Sequence, residues 1–201
     1  MIHYCINLKF ATLFFIAIWF LAVFSLHFLK PDFTPYNHTC SEYANGDFGF
    51  IMVIAFFAMA IANILLAFCS IQKSDIFIGI LFAIIAVGYI GLGTFIADIT
   101  ISDTPETTAG KIHLFFGFIA MLTINITTFV LASKIKSDVA LWIFAISCII
   151  SFIIFIVSMN IKSPVFFGIA QRIYLSIATI WFFYITIKMD IFITLVKAAK
   201  V

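Results

Sequence analysis

Six long apolar stretches, separated by short polar segments, constrain this sequence more than any other feature. They cover residues 10–28, 49–71, 76–97, 113–133, 139–159 and 165–187. Each has roughly the 20 residues that an α-helix needs to cross a hydrocarbon core ~30 Å thick. Only 10% of the residues are charged, and the mean hydropathy of +1.24 is far above that of a soluble domain. The sequence therefore predicts an all-α bundle of six transmembrane helices, with residues 1–201 forming a single domain.

The lysines are distributed unequally between the two ends of this predicted bundle. One end carries Lys9, Lys73, Lys134, Lys136, Lys188, Lys197 and Lys200. The other end carries Lys30, Lys111 and Lys162, together with most of the acidic residues. Because loops rich in lysine and arginine stay in the cytoplasm, we expect both termini to be cytoplasmic in a multi-pass protein of the cell membrane. The first stretch is too long for the apolar region of a signal peptide, so we expect it to remain as a helix.

Charge, cysteine and histidine patterns argue against several classes of function. A net charge of +2, with no basic run and no glycine-rich phosphate loop, gives no reason to expect nucleic acid as a partner. The four cysteines have no metal-like spacing, which argues against a metal cluster and against a disulfide framework. The four histidines do not form the pairs that haem would need across facing helices. We therefore expect no cofactor and no metal.

Small and polar residues inside the apolar stretches predict contacts between helices. Four glycines of the third stretch are expected to permit close helix packing rather than to form a nucleotide loop: Gly79, Gly88, Gly91 and Gly93. Asn63 and Asn125 lie near the middle of their stretches and are expected to form hydrogen bonds between helices. The segment after residue 187 is expected to continue the sixth helix or to lie along the membrane interface.

Three polar segments are predicted to meet at the outer end of the bundle. The hairpin at residues 96–117 carries Asp98, Asp103, Glu106 and His113, and its Thr107-Thr108 pair is a helix-start signal. The first loop, residues 29–48, carries Ser41 and Glu42, and the sixth helix begins near Gln171 and Arg172. Thr39 followed by Glu42 has the spacing of a capping box, which would start the second helix well above the membrane.

Arg172 is the residue with the sharpest physical requirement. At 1.5 Å per residue, the helix from Arg172 to Lys188 is too short to cover the whole hydrocarbon core, which places Arg172 a turn or two inside the membrane. An unpaired arginine there costs several kcal/mol, roughly 3 on insertion scales. We therefore expect Arg172 to face the bundle interior and to form an ion pair with Asp98 or Glu42.

These residues support three hypotheses of function. The first is a pocket, open to the outside, that binds the headgroup of a membrane lipid or another amphiphile through Arg172, Glu42, Asp98, His113 and Gln171. The second is a membrane-embedded hydrolase or transferase with His113 as general base or metal ligand. Ser41, Asp98 and His113 could form a catalytic triad, although no spacing requires it. The third is a structural or partner-binding subunit, with homo-oligomerisation as one form of it.

The same segments carry a family resemblance. SEYANGDFG at residues 41–49, GKIHLFFG at residues 110–117 and GIAQRIYLSIATIWFF at residues 168–183 resemble the domain-of-unknown-function 998 membrane family over nearly the whole chain. The resemblance implies six helices and brings no established activity. A more distant similarity to the Frag1/DRAM/Sfk1 type of six-helix proteins implies a role in membrane-lipid organisation.

Overall fold

The computed structural model describes residues 2–72, 74–99, 107–160 and 166–198, and the side chains of residues 8–72, 74–99, 107–159 and 166–188. It contains six α-helices: α1 (Ile2–Leu29), α2 (Gly49–Gln72), α3 (Ile76–Thr94), α4 (Thr108–Lys134), α5 (Val139–Asn160) and α6 (Phe167–Ala198). A short 3-10 helix, Ser41–Ala44, lies between α1 and α2. All six α-helices contain a segment long and apolar enough to cross a membrane, and the described residues form no strand. The predicted all-α fold with six membrane-spanning helices is confirmed.

Several helix boundaries differ from the sequence prediction, and the first helix begins at Ile2 rather than at residue 10. The third helix ends at Thr94 rather than residue 97, which leaves Asp98 on an extended segment. The fourth helix begins earlier than residue 113, at Thr108, because the side chain of Thr107 accepts a hydrogen bond from Gly110 N and caps the helix. The sixth helix runs on to Ala198, so the tail continues this helix, as one of the two expectations stated.

The predicted extension of the second helix into the first loop is wrong. Glu42 does accept a hydrogen bond from Thr39 N, but Glu42 belongs to the separate 3-10 helix Ser41–Ala44, whose N-cap is Cys40. Gly46 and Phe48 follow it with positive φ angles of 63° and 61°, which interrupt any continuous helix before Gly49. The first loop is therefore a compact unit that packs on top of the bundle rather than an extension of α2.

Helices that follow one another in sequence pack against one another, and α6 returns to pack against α1. The contact between α1 and α6 is the loosest of these. The third and fourth helices approach closely at Gly88 and Gly91, which have no side chain. A Cβ atom at these positions would press against Ala120 or Phe116 of α4. The predicted role of the glycines in close helix contact is confirmed at these positions.

The two asparagines inside the helices behave differently from each other. Asn125 Nδ2 of α4 lies 3.4 Å from Tyr174 Oη of α6, as expected for a hydrogen bond between helices. Asn63 Nδ2 instead donates to Met59 O of its own helix at 2.8 Å, so the expected bond to another helix is not formed by this amide nitrogen.

Two polar contacts fix the end of the bundle that carries the short turns. Lys134 Nζ at the end of α4 lies 2.5 Å from Asp75 Oδ2, which precedes α3. Tyr184 Oη of α6 donates to Asp138 before α5, at 2.7 Å from Oδ2. These contacts hold the turns against the helices at the end opposite the first loop.

Candidate functional site

The structure brings the three predicted polar segments together at one end of the bundle. Cys40 N of the first loop donates to Gln171 Oε1 of α6 at 2.7 Å. Asn45 Nδ2 of the same loop donates to Ala97 O at 2.8 Å, in the segment that follows α3. The first loop therefore lies between α6 and the hairpin and contacts both. Asp103 and Glu106 of the hairpin lie outside the described residues.

Arg172 is the centre of the contacts between α6 and the first loop. Its Nη1 atom lies 3.0 Å from Gly168 O of its own helix. Its other described hydrogen-bond partners come from α1 or the first loop and are uncharged acceptors: His27 Nε2 (2.9 Å from Nε), Pro35 O (3.0 Å from Nη1), His38 O (2.6 Å from Nη1) and Tyr43 Oη (2.9 Å from Nη2). Arg172 thus fastens the loop to the start of α6.

The tautomer of His27 follows from these contacts. Its Nδ1 lies 2.7 Å from Val23 O, and a carbonyl oxygen can only accept, so Nδ1 carries the proton. Its Nε2 receives the Nε–H of Arg172 and must therefore hold a lone pair. His27 is neutral in this arrangement and leaves the positive charge of Arg172 uncompensated.

The predicted ion pair between Arg172 and an acid is wrong. Within the described residues, no carboxylate lies within the 4.0 Å of an ion pair from the Arg172 guanidinium. Glu42 Oε2 lies 2.8 Å from His38 Nδ1, and its Oε1 accepts from Thr39 N and Thr39 Oγ1. The acid and the arginine are linked only through His38, whose carbonyl binds Arg172 and whose ring binds Glu42.

Asp98 links the two ends of the hairpin through hydrogen bonds to Thr107. Its carboxylate accepts from Thr107 N at 2.9 Å and from Thr107 Oγ1 at 2.6 Å. Thr107 is also the N-terminal cap of α4. Asp98 therefore joins the two ends of the hairpin, and its charge lies near the positive end of the α4 dipole.

His113 is buried at the start of α4 with a side chain that is 2% exposed. Its Nδ1 lies 2.6 Å from Phe95 O, which assigns the proton to Nδ1. Its Nε2 is buried and has no hydrogen-bond partner among the described residues. Because Phe95 rather than Asp98 orients the ring, the triad of Ser41, Asp98 and His113 is not formed in its usual geometry.

Three cavities lie around the first loop. A small one of about 60 Å³ brings together five predicted site residues: Ser41, Glu42, Asp98, His113 and Gln171. A larger interior cavity of about 390 Å³ extends from His113 and Ser41 into the bundle. A groove of about 770 Å³ runs between α1 and α6 and is bordered by Arg172. The predicted single pocket is therefore divided, with Arg172 facing the groove and the other residues facing the interior cavities.

Sequence reasoning missed several polar residues that build this end of the bundle. Lys30 is buried, and its Nζ donates to Tyr43 O at 3.0 Å and to Asn45 O. Burial lowers the pKa of Lys30, although the nearby charge of Asp47 opposes this shift. Burial raises the pKa of Tyr43, and Arg172 opposes this shift. In the sequence, only the polar composition of the loop indicated these contacts. Backbone carbonyl oxygens are present in every residue, so residue type does not identify them as partners.

The fold and its polar end define a class of protein: a six-helix integral membrane protein with a polar loop cap at one end. The family model described as "Protein of unknown function (DUF998)" matches residues 14–188. The chain belongs to this family. No curated protein and no solved structure matches it.

Proposed function

We propose that this protein binds an anionic membrane lipid in the groove between α1 and α6, with the lipid headgroup against Arg172. The observation that carries the proposal is an arginine whose charge is not neutralised by any described carboxylate and which borders an apolar groove of about 770 Å³. Charged residues at membrane depth face a partner, a cavity or a substrate path, because exposure to hydrocarbon is costly. An anionic headgroup would supply the missing partner.

The groove has the shape and composition that a lipid chain requires. Aromatic and aliphatic side chains of both helices form its walls: Trp19, Phe20, Val23, Phe24, Phe28, Leu175, Ile180 and Phe183. Several of them, including Phe20, Phe24 and Ile180, are exposed on the surface of the bundle. A lipid could therefore enter sideways from the bilayer without a polar surface crossing the hydrocarbon.

Arg172 retains donor capacity for a headgroup. A guanidinium has five N–H donors, two of them on Nη2. The described partner of Nη2 is Tyr43 Oη, which leaves one N–H of this atom to donate to a phosphate or carboxylate oxygen. Such charge-assisted hydrogen bonds are roughly twice as strong as neutral ones. Gly168 and Tyr43 hold the guanidinium in place, so its position is set before the lipid arrives.

The distribution of lysines supports the direction in which the site faces. With both termini in the cytoplasm, the first loop and Arg172 lie on the outer side of the cell membrane. The lipid would then come from the outer leaflet, and binding would serve lipid transport or membrane organisation.

The proposal is tested by native mass spectrometry of the protein released from nanodiscs that contain equal amounts of phosphatidylglycerol and phosphatidylcholine. The wild type should retain phosphatidylglycerol preferentially. Ser176→Phe places an aromatic ring in the groove and should abolish this preference, because Ser176 lines the groove and has no described hydrogen bond. Ile173→Phe adds the same bulk to the same helix at an exposed position that lines none of the three cavities, and should bind as the wild type does.

Arg172→Gln should also remove the preference for the anionic lipid, whereas Lys188→Gln, which removes a cation at the other end of the α6 span, should not. Equal retention of the two lipids by the wild type, or unchanged binding by Ser176→Phe, would overturn the proposal and favour a structural subunit.

A second candidate is a membrane-embedded hydrolase or transferase. One observation favours it: Nε2 of His113 is a proton acceptor with no described partner, in a cavity that Ser41 also lines. A general base acts chiefly on the turnover number, so His113→Gln should then leave ligand bound and stop turnover. The measurement is lipid turnover by purified protein in vesicles, and unchanged lipid composition with the wild type would reject this candidate.

A further inference from the structure

We infer that the interior cavity below the first loop is a second binding site, which takes an uncharged single-chain amphiphile with a hydroxyl headgroup. The hydroxyl would donate its hydrogen to His113 Nε2, and the chain would lie among the apolar side chains of the bundle. This site goes beyond the proposed function, because it uses neither Arg172 nor the groove between α1 and α6.

His113 is the reason why the ligand should carry a hydrogen-bond donor. Its Nδ1–H is committed to Phe95 O at 2.6 Å, so the neutral ring presents a lone pair at Nε2. That atom is buried, it has no partner in the part of the chain that the structure describes, and it belongs to a side chain that lines the cavity. Leaving a buried acceptor unsatisfied costs about 1–3 kcal/mol. A ligand hydroxyl that donates to Nε2 would remove this cost.

Gln171 and Ser41 supply the complementary donors. The carbonyl oxygen of Gln171 accepts from Cys40 N, which leaves the two N–H groups of its amide nitrogen for other partners. Ser41 lines the same cavity, and no described hydrogen bond engages its hydroxyl. A ligand hydroxyl can donate to His113 and accept from Gln171 or Ser41 at the same time, whereas an ether or a hydrocarbon cannot.

The apolar part of the cavity explains why the ligand should carry a chain. Its walls are formed by side chains of α1 to α6, among them Trp19, Met52, Phe56, Tyr89, Met121 and Phe152. Its volume of about 390 Å³ is more than twice the ~150 Å³ of an apolar cavity that holds benzene. An apolar cavity of this size favours an alkyl chain over water, because it offers water few hydrogen-bond partners.

The cavity also has a lateral opening through which an amphiphile could enter. Leu114, Phe115 and Phe118 of α4 and Met159 of α5 line it and are exposed on the outer surface of the bundle. The opening therefore lies between α4 and α5, on a different face from the groove between α1 and α6. A ligand could pass directly from the bilayer into the cavity.

The polar lining argues for a headgroup without charge. His113, Ser41 and Gln171 present neutral groups, and the carboxylate of nearby Glu42 is already bound by three donors of His38 and Thr39. No described lysine or arginine lines the cavity. A phosphate or carboxylate headgroup would be buried there without a counter-charge, which is strongly unfavourable.

The site can be tested with three probes that share one chain: hexadecanol, its methyl ether and hexadecyl phosphate. Each competes with a photoreactive diazirine derivative of hexadecanol for cross-linking to the purified protein in nanodiscs, and cross-linked peptides are identified by mass spectrometry. Hexadecanol should compete for labelling of α4 and α5 peptides about tenfold better than the ether, since the ether cannot donate a hydrogen bond. Hexadecyl phosphate should compete less well than either.

Two variants assign the binding to this cavity. Gly117→Leu should abolish specific labelling, because Gly117 lines the cavity and a Cβ atom there meets only Leu92 at an ordinary 3.4 Å. Replacing a glycine inside a helix also raises helix propensity, and an unfolding temperature no lower than that of the wild type would show that loss of labelling does not reflect unfolding. Ile126→Phe adds bulk on the exposed face of the same helix and should label as the wild type does. His113→Phe should make the alcohol and the ether compete equally.

Equal competition by the alcohol and its ether in the wild type would show a cavity filled by water or by chains alone, and would overturn the inference. Unchanged labelling of Gly117→Leu would overturn it as well. Ser176→Phe should leave this labelling intact even though it blocks the other groove, so the failure of one proposal is distinguishable from the failure of the other.

Discussion

Arg172 and Glu42 act on the same residue of the first loop from two sides without touching each other. Arg172 Nη1 lies 2.6 Å from the carbonyl oxygen of His38, and the imidazole of His38 lies 2.8 Å from the Glu42 carboxylate. The arginine is thus held by neutral acceptors, and the acid keeps its own donors from Thr39. Removing either charge should leave the other with most of its hydrogen bonds.

This relationship predicts that Arg172→Leu destabilises the protein and that Glu42→Gln does not rescue it. The substitution leaves the part-buried carbonyl of His38 without its donor, and an unsatisfied buried acceptor costs about 1–3 kcal/mol, whereas the exposed carbonyl of Pro35 can turn to water. We expect the single variant to lose about 1–3 kcal/mol. The measurement is thermal unfolding in detergent of both single variants and the double variant. A double variant more stable than Arg172→Leu would contradict this expectation and would support a direct ion pair between Arg172 and Glu42.

Gly168 should be as important to the first loop as Arg172. A Cβ atom at this position would come closer than 3.0 Å to the backbone oxygens of Pro35 and His38, neither of which can move without displacing the loop. We expect Gly168→Ala to lower the unfolding temperature and to expose the loop to proteolysis. Gly117→Ala is the matched control, because its Cβ meets only an ordinary contact, and it should be neutral or slightly stabilising. A Gly168→Ala protein as stable as the control would show that the loop does not dock as described.

The parts of the structure that followed from the sequence are those governed by hydrophobic length and helix signals. Apolar stretches of about 20 residues gave six helices because a buried backbone in lipid must satisfy its own hydrogen bonds. Thr107 was recognised as a helix start because a threonine cap depends only on local spacing. The four glycines of α3 predicted close packing because a residue without a side chain leaves room for a neighbouring helix.

The partners of the charged side chains could not be predicted from the sequence. The expected pairing of Arg172 with an acid followed from charge alone, whereas backbone oxygens of Pro35 and His38 satisfied the same requirement. Any residue can offer a carbonyl oxygen, so no residue type indicates such a partner. The contact predicted from the spacing of Thr39 and Glu42 is formed, but the short helix beside it ends at Ala44, where the backbone of Asn45 is extended.

Cys40 should react slowly with alkylating reagents while the protein is folded. Its side chain is buried, and burial raises the pKa of its thiol above the ordinary value of 9.0, although Arg172 opposes the shift. A raised pKa adds stability that is fully present below the unfolded pKa and is lost as the pH rises through the folded pKa. The wild type should therefore lose stability relative to Cys40→Ala as the pH is raised above about 9.0.

The measurement for Cys40 combines maleimide labelling of a variant in which it is the only cysteine with unfolding curves from pH 7 to 10. The comparison with Cys40→Ala is needed because the lowered pKa of Lys30 acts in the opposite direction, raising stability as the pH approaches 10.5. Fast labelling of the folded protein at pH 7 would contradict the burial of Cys40 between the groove and the interior cavity.

The orientation of the bundle can be tested with one exposed position at each end. Tyr36 lies in the first loop and Lys136 in the turn between α4 and α5, and both are exposed, so a cysteine at either position should react without disturbing the core. The distribution of lysines predicts that the first loop lies outside and this turn in the cytoplasm. In intact cells, a membrane-impermeant maleimide should therefore label Tyr36→Cys and should label Lys136→Cys only after the membrane is permeabilised. The opposite pattern would place Arg172 and the loop cap at the cytoplasmic face, and the proposed lipid would then have to come from the inner leaflet.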